Sequence, residues 1–263
     1  MSDFIWQRKE NNFTYSDSPR YECLNMLVRK PTNVLDIGCN VGSVGKVLRA
    51  NFPEAQLWGC EFNEEAAKIA AQHYDHILKE DVTTVDFSAL GLTQAFDMVC
   101  LFDVLEHLYN PWQLLQGLLP KLSHDAQVLV SLPNASHILV LLDALRGHWR
   151  YQNYGLLDFT HIRFFTDFDA RKMFYQTGYR VEEMRHHTFG LAQDIFNQLQ
   201  HNSFPSSVTI DKLSVRVESR EELARLCAIQ NLYRLTPHHG KLSEEEKQFA
   251  STDYPQTFTF GGE

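Results

Sequence analysis

The chain is predicted to fold as a doubly wound α/β domain, a parallel sheet with helices on both faces, and three observations carry that prediction. Short apolar runs alternate with segments of helical spacing from residue 33 to about residue 190. The first run ends in an acid, Asp36, and turns through glycines into a helix. The run Phe96–Phe102 is apolar almost throughout, as a strand covered on both faces must be. Ligands of such sheets lie beyond the carboxyl ends of the strands.

The elements follow in order. Ser18-Pro19 opens a first helix, the hydroxyl capping it and proline at its first position, with Tyr21, Leu24, Leu27 and Val28 at helical spacing. Residues 1–30 are therefore assigned to an N-terminal helical segment. Strands are expected at 33–37, 56–60, 76–79, 96–102 and 127–132, and helices at 43–51, after Asn63, after Asn110-Pro111 and after Thr166, which has Asp169 at capping-box spacing. Residues 31–190 are expected to form the core, including an acceptor loop at 133–166 that is rich in aromatic residues. Beyond it, 204–207 is turn-like, 208–217 alternates as one strand, and Ser219 with Glu222 caps a helix carrying Leu223, Leu226, Ile229 and Leu232. This C-terminal extension, 191–263, could complete the sheet, cover the active site or mediate self-association, and the sequence leaves all three open.

Bulk composition narrows the function. A chain of 263 residues that is 44% hydrophobic can bury a substantial core. Its formal charge of −9 opposes broad binding to polyphosphate, so a nucleic-acid partner is not expected. Five widely spaced cysteines read as reduced thiols of a cytoplasmic protein, and no apolar run is long enough to insert in a membrane.

The segment Asp36-x-Gly38-Cys39-Asn40-x-Gly42 places an acid and a glycine loop where backbone can approach a ligand. Its spacing differs from the G-x-G-x-x-G of dinucleotide folds. A second acid, Glu61, follows an apolar strand twenty-five residues after Asp36, where a carboxylate can bind a ribose diol, and Phe62 adjoins it. Phe96-Asp97 and Phe102-Asp103-Val104-Leu105-Glu106-His107-Leu108 form the third informative stretch.

These segments resemble class I S-adenosylmethionine-dependent methyltransferases, in particular the small-molecule and glycan branch common among bacterial surface-glycan enzymes. The likeness extends over residues 34–184 and includes Gly155-Leu156-Leu157-Asp158-Phe159-Thr160-His161-Ile162-Arg163-Phe164-Phe165-Thr166. It implies a Rossmann-like sheet, S-adenosylmethionine as cofactor, and a cofactor site of Asp36, Gly38, Cys39, Asn40, Gly42, Glu61, Phe62, Asp81, Val82, Phe102 and Asp103. Asp81 would accept from the adenine amino group, with Val82 beside the ring. Asn40 replaces the family's usual middle glycine and is a residue that tolerates a left-handed backbone.

His107 and His161 are the candidate catalytic residues, since neutral imidazole can take a proton from a hydroxyl acceptor. For His107 a packing role against the cofactor stands beside the catalytic one. Trp149, Tyr151 and Tyr154 with the cation Arg163 are expected to form a substrate wall. Asp103, Glu106, His107 and His161 are similar to the ligand set of small-RNA ribose methyltransferases, but no metal is expected. The expected reaction is O-methylation of a small molecule or sugar, in a chain that could self-associate. A nucleotide-dependent oxidoreductase and a non-catalytic cofactor-binding regulator are the alternatives.

Overall fold

A computed structural model describes residues 18–87 and 89–251. It contains a seven-stranded sheet: β1 (Asn33–Ile37), β2 (Gln56–Cys60), β3 (His76–Leu78), β4 (Phe96–Phe102), β5 (Leu122–Pro133), β6 (Tyr179–Thr188) and β9 (Ala228–Pro237), in the order β3-β2-β1-β4-β5-β9-β6. Strands β1 to β5 pair in parallel, whereas β9 is antiparallel to both β5 and β6. The start of β9 therefore lies at the same edge as the ends of the parallel strands, the ligand edge of such sheets.

Alternation along the strands fills two cores. Leu35, Ile37, Val99, Leu101, Val128 and Val130 face one side, under helices α4 (Pro111–Leu118) and α6 (Asp167–Gln176). Val34, Leu57, Met98, Cys100 and Leu129 face the other, under α2 (Ser43–Asn51), a short α1 (Tyr21–Leu24) and the end of α3 (Glu64–Ala70). Caps set where helices begin: Asn63 accepts from the N–H groups of Glu65 and Ala66, Asn110 from that of Gln113, and Thr166 from that of Asp169.

A smaller unit lies between β6 and β9. It holds α7 (Gly190–Leu199), the hairpin β7 (Ser206–Ile210) with β8 (Leu213–Val217), and α8 (Arg220–Cys227). Together with α5 (Ile138–Leu145) it encloses a third core of Ile138, Ala192, Val208, Val217, Leu223 and Leu226. The last helix among the described residues, α9 (Glu244–Ala250), begins at Ser243 in a complete capping box.

Four local expectations are corrected, the first being the loop at 133–166, of which Ile138–Leu145 is the helix α5. Arg20, not Ser18, precedes the first helix; it sits in the left-handed region at φ 54° and makes no side-chain cap, and the helix ends at Leu24, so Leu27 and Val28 fall outside it. The expected strand 208–217 is two strands, because Asp211 turns the chain at φ 50°. The helix after Ser219 stops at Cys227, and Ile229 and Leu232 belong to β9: pairing on both edges inside the sheet overrides their helical spacing.

Candidate active site

At the end of β1 the chain turns through three left-handed residues, Gly38 (φ 70°), Asn40 (φ 52°) and Gly42 (φ 90°). The N–H groups of Gly38 and Cys39 both donate to the carbonyl of Cys60, fastening the loop to β2. Asn40 steadies its own turn by accepting from the Val41 N–H at 2.7 Å. A cavity of about 620 Å³ opens over this loop. It is lined by Asp36, Gly38, Cys39, Asn40, Glu61, Phe62, Asp81, Val82, Phe102, Asp103 and His107, so the structure gathers the expected cofactor residues in one place with the exception of Gly42. A Cβ on Gly42 would meet the Ala70 Cα at 2.9 Å, so this glycine is needed for the approach of α2 to α3.

Glu61 is a buried carboxylate at the end of β2. One oxygen accepts from the Asn40 N–H at 3.0 Å and the other from the Asn63 N–H at 2.9 Å. Each keeps a lone pair, which suits a diol, while Phe62 stands 72% exposed beside it as a flat apolar face. Burial raises the Glu61 pKa against those two hydrogen bonds. Asp81 is braced through Oδ1 by the N–H and hydroxyl of Thr83. The prediction is that Glu61→Ala weakens cofactor binding by about 1.5–3 kcal/mol and Glu61→Gln by less, as read by calorimetric titration; equal affinity in both variants would assign Glu61 to loop packing.

Asp36 is joined by a residue that sequence reasoning did not find. The Tyr74 hydroxyl donates to its carboxylate and accepts from the Gly45 N–H at 2.9 Å, bridging β1 to α2. Burial raises the Asp36 pKa to about 7, opposed by the Tyr74 hydrogen bond. A cationic ligand favours the ionised form, so affinity for S-adenosylmethionine should rise with pH up to about 7 and level off above it. In Tyr74→Phe the midpoint of this rise should move to higher pH, since the carboxylate loses its donor; an unmoved midpoint would leave Tyr74 a packing residue.

Asp103, at φ 55° just past β4, is fully engaged. Its carboxylate accepts from Arg20 Nη1 at 2.7 Å, from the Ser131 hydroxyl at 2.7 Å and from Gln230 Nε2 at 2.8 Å. Arg20 also donates to Ser131 Oγ at 2.6 Å and lies over the Phe102 ring. Four distant segments thus meet at one carboxylate. Neither Arg20 nor Gln230 carries a local motif that would have marked it.

A second cavity of about 370 Å³ adjoins the first, and Asp103, His107 and Asp158 line both. His107 stands in a single turn, Leu105–His107, and its Nδ1 faces the Thr160 carbonyl at 3.3 Å and the Thr160 hydroxyl at 3.1 Å. That hydroxyl donates to Asp158 Oδ1 at 2.7 Å, so Nδ1 carries the ring proton and Nε2 the free lone pair. Partial burial, and after it His161, hold the His107 pKa below the ordinary imidazole value. His161 lines only the second cavity; its Nδ1 faces the Leu156 carbonyl at 3.3 Å and its ring centroid lies 4.8 Å from that of His107. Burial lowers its pKa as well.

Glu106 lies beneath both histidines, with its Oε1 4.0 Å from His161 Nε2. It is 1% exposed and neither carboxylate oxygen has a hydrogen-bond partner; burial first, and Asp103 next, push its pKa far up. Glu106, His107 and His161 each present a ligand atom within 4.8 Å of the others, a set able to hold a divalent ion. Asp103, spent on Arg20, Ser131 and Gln230, is not one of them.

The expected substrate wall is rearranged. Trp149, Tyr151 and Tyr154 do not line either cavity; Trp149 packs edge-on to Phe164 instead. Arg163 turns away, donating to the Tyr109 carbonyl at 2.6 Å between the rings of Tyr109 and Trp112. The second cavity is completed by His187, Phe189, Ile229 and Gln230, at the end of β6 and the start of β9.

A family model for a methyltransferase domain matches residues 17–184, more than half of the chain. The chain belongs to this methyltransferase family. That family is one of class I S-adenosylmethionine-dependent methyltransferases, and membership in it sets the oxidoreductase reading aside. Among curated proteins the methyltransferase is 27% identical over 121 residues to a ubiquinone biosynthesis O-methyltransferase of Glaesserella parasuis, covering 42% of this chain and 50% of that one. The chain thus matches about half the length of this relative. Among solved structures, the StiE O-MT domain superposes with a TM-score of 0.54 at 14% identity, covering 88% of this chain and 77% of the other. The plantazolicin methyltransferase BpumL, solved with S-adenosylhomocysteine, gives 0.51 at 17%, covering 80% and 77%. A Haloferax volcanii methyltransferase in complex with its Trm112 activator gives 0.54 at 15%, covering 85% and 90%. The methyltransferase contains, among its described residues, no helix long and apolar enough to cross a membrane.

Proposed function

We propose that the enzyme methylates an oxygen of a small molecule or sugar held in the second cavity, with His107 as general base. The observation that carries this reading is the position of His107: it lines both cavities, and Thr160 fixes its tautomer so that Nε2 can receive a proton. S-adenosylmethionine, when bound, supplies a methyl group already activated on a sulfonium sulfur. Glu61, Phe62, Asp81 and the 38–40 loop would hold its nucleoside, Asp36 and Phe102 its methionine end, and Asp103 keeps Arg20 and Gln230 at the boundary between the cavities. His161 keeps the ring of His107 in place from the acceptor side. The ubiquinone biosynthesis relative supports oxygen as the atom methylated.

A second reading rests on Glu106. Its buried carboxylate has no partner, and with His107 and His161 it could hold a divalent cation, which would acidify an acceptor hydroxyl. One experiment separates the two: transfer of labelled methyl to acceptor before and after exhaustive chelation, with metal content measured in parallel. Full activity after chelation supports the base mechanism. Reversible loss, with metal content lowered by Glu106→Gln, supports the metal.

A further inference from the structure

On the reading that the second cavity takes the methyl acceptor, we infer that this acceptor is an uncharged hydroxyl compound, and that carboxylates and phosphate esters are rejected there.

The argument starts from charge. Among the described residues no lysine or arginine lines this cavity, whereas the carboxylate of Asp158 does; Asp103 lines it too, with its charge taken up by Arg20. An anion placed here would lose its hydration and meet the Asp158 carboxylate, with no fixed cation in return. The two arginines that could have served are committed elsewhere. Arg163 belongs to the same loop, but its guanidinium lies outward on the Tyr109 carbonyl and between two rings. Arg20 lines the cofactor cavity and not this one, and it is neutralised by Asp103 and Glu22.

Two of the polar groups in its wall suit O–H donors. Asp158 keeps Oδ2 after Thr160 has taken Oδ1, and Gln230 keeps its side-chain carbonyl after its amide has gone to Asp103. Both are acceptors. Leu156, Phe189 and Ile229 supply apolar walls, and about 370 Å³ accommodates a substituted ring. A carboxylate acceptor needs no base to lose a proton, whereas a neutral hydroxyl does, and a histidine with its free nitrogen directed by Thr160 is present at this wall.

The test uses the full chain and a metabolite extract of the cells that carry the gene. Anion exchange divides the extract into a retained pool, holding carboxylates, phosphates and nucleotide sugars, and an unretained pool. Each is incubated with the enzyme and S-adenosylmethionine bearing an isotopically labelled methyl group, and products are read by mass spectrometry. Label at least tenfold higher in the unretained pool is the expected result. Label confined to the retained pool overturns the inference while leaving methyl transfer intact. Label in neither pool, with S-adenosylmethionine still bound by the protein, overturns the methyl-transfer reading itself and this inference with it.

Discussion

With His107 replaced by glutamine, turnover is expected to fall by about 10²–10⁴-fold at saturating S-adenosylmethionine, the range a general base contributes. Affinity for S-adenosylmethionine should change only a few-fold, because the cofactor cavity keeps Glu61, Asp81 and the 38–40 loop. The residual activity should also lose its acid limb. In the wild type the base is neutral above a pKa held below that of ordinary imidazole, so the rate is level near neutrality and declines only as the pH falls through that lowered value. His161→Asn should cost less, since His161 does not reach the cofactor cavity and its Nε2 faces Glu106. Equal losses of turnover and cofactor affinity in His107→Gln would make His107 a wall of the cofactor cavity and nothing more.

Gly38→Val should weaken cofactor binding at least about five-fold in a protein that remains folded. At φ 70° a β-branched side chain is strained, and its Cβ would meet Val104 Cγ2 at 2.9 Å at the floor of the cavity. Backbone strain alone costs about 1–3 kcal/mol, which is roughly a five- to 150-fold loss in binding constant if it is released only by moving the loop. Gly42→Val makes an instructive contrast. Its Cβ meets backbone of α3, so the expected loss is in melting temperature first and in binding as a consequence. Wild-type affinity in Gly38→Val would exclude the loop as the cofactor cradle.

The parts of this site that could be read in advance are those built from contiguous residues. The strand-acid-glycine stretch from Val34 to Gly42, the acid at the end of β2 and the Phe102–His107 segment each carry their geometry in local order. β1, α2, β2 and β4 accordingly begin and end where expected. What escaped notice was made by distance. Arg20 reaches Asp103 across 83 residues and Gln230 across 127, and neither has neighbours that distinguish it from an ordinary surface side chain. Tyr74 belongs to the same class, its hydroxyl serving Asp36 across 38 residues and Gly45 across 29. β9 was missed for another reason: helical spacing and alternation overlap in short stretches such as Leu226 to Leu232, and only the partner strands decide between them. Arg163 shows the converse, since composition put a cation in the acceptor loop while packing turned it outward.

The unit between β6 and β9 leaves and re-enters the sheet at adjacent points, because Thr188 pairs with Ala228. A chain segment whose two ends are already neighbours can be lengthened, shortened or exchanged at little cost in loop closure, since the strands on either side fix its anchor points. Residues 189–227 are therefore an insertion with neighbouring anchor points, tied to the rest of the fold through the core it shares with Ile138 of α5. Phe189 and Ile229 stand on either side of its junctions, at the acceptor cavity, whereas Gln230, one step further into β9, holds Asp103. Exchanging this segment should thus change the second cavity at Phe189, the one described residue of it in that wall, while every wall of the cofactor cavity stays in place.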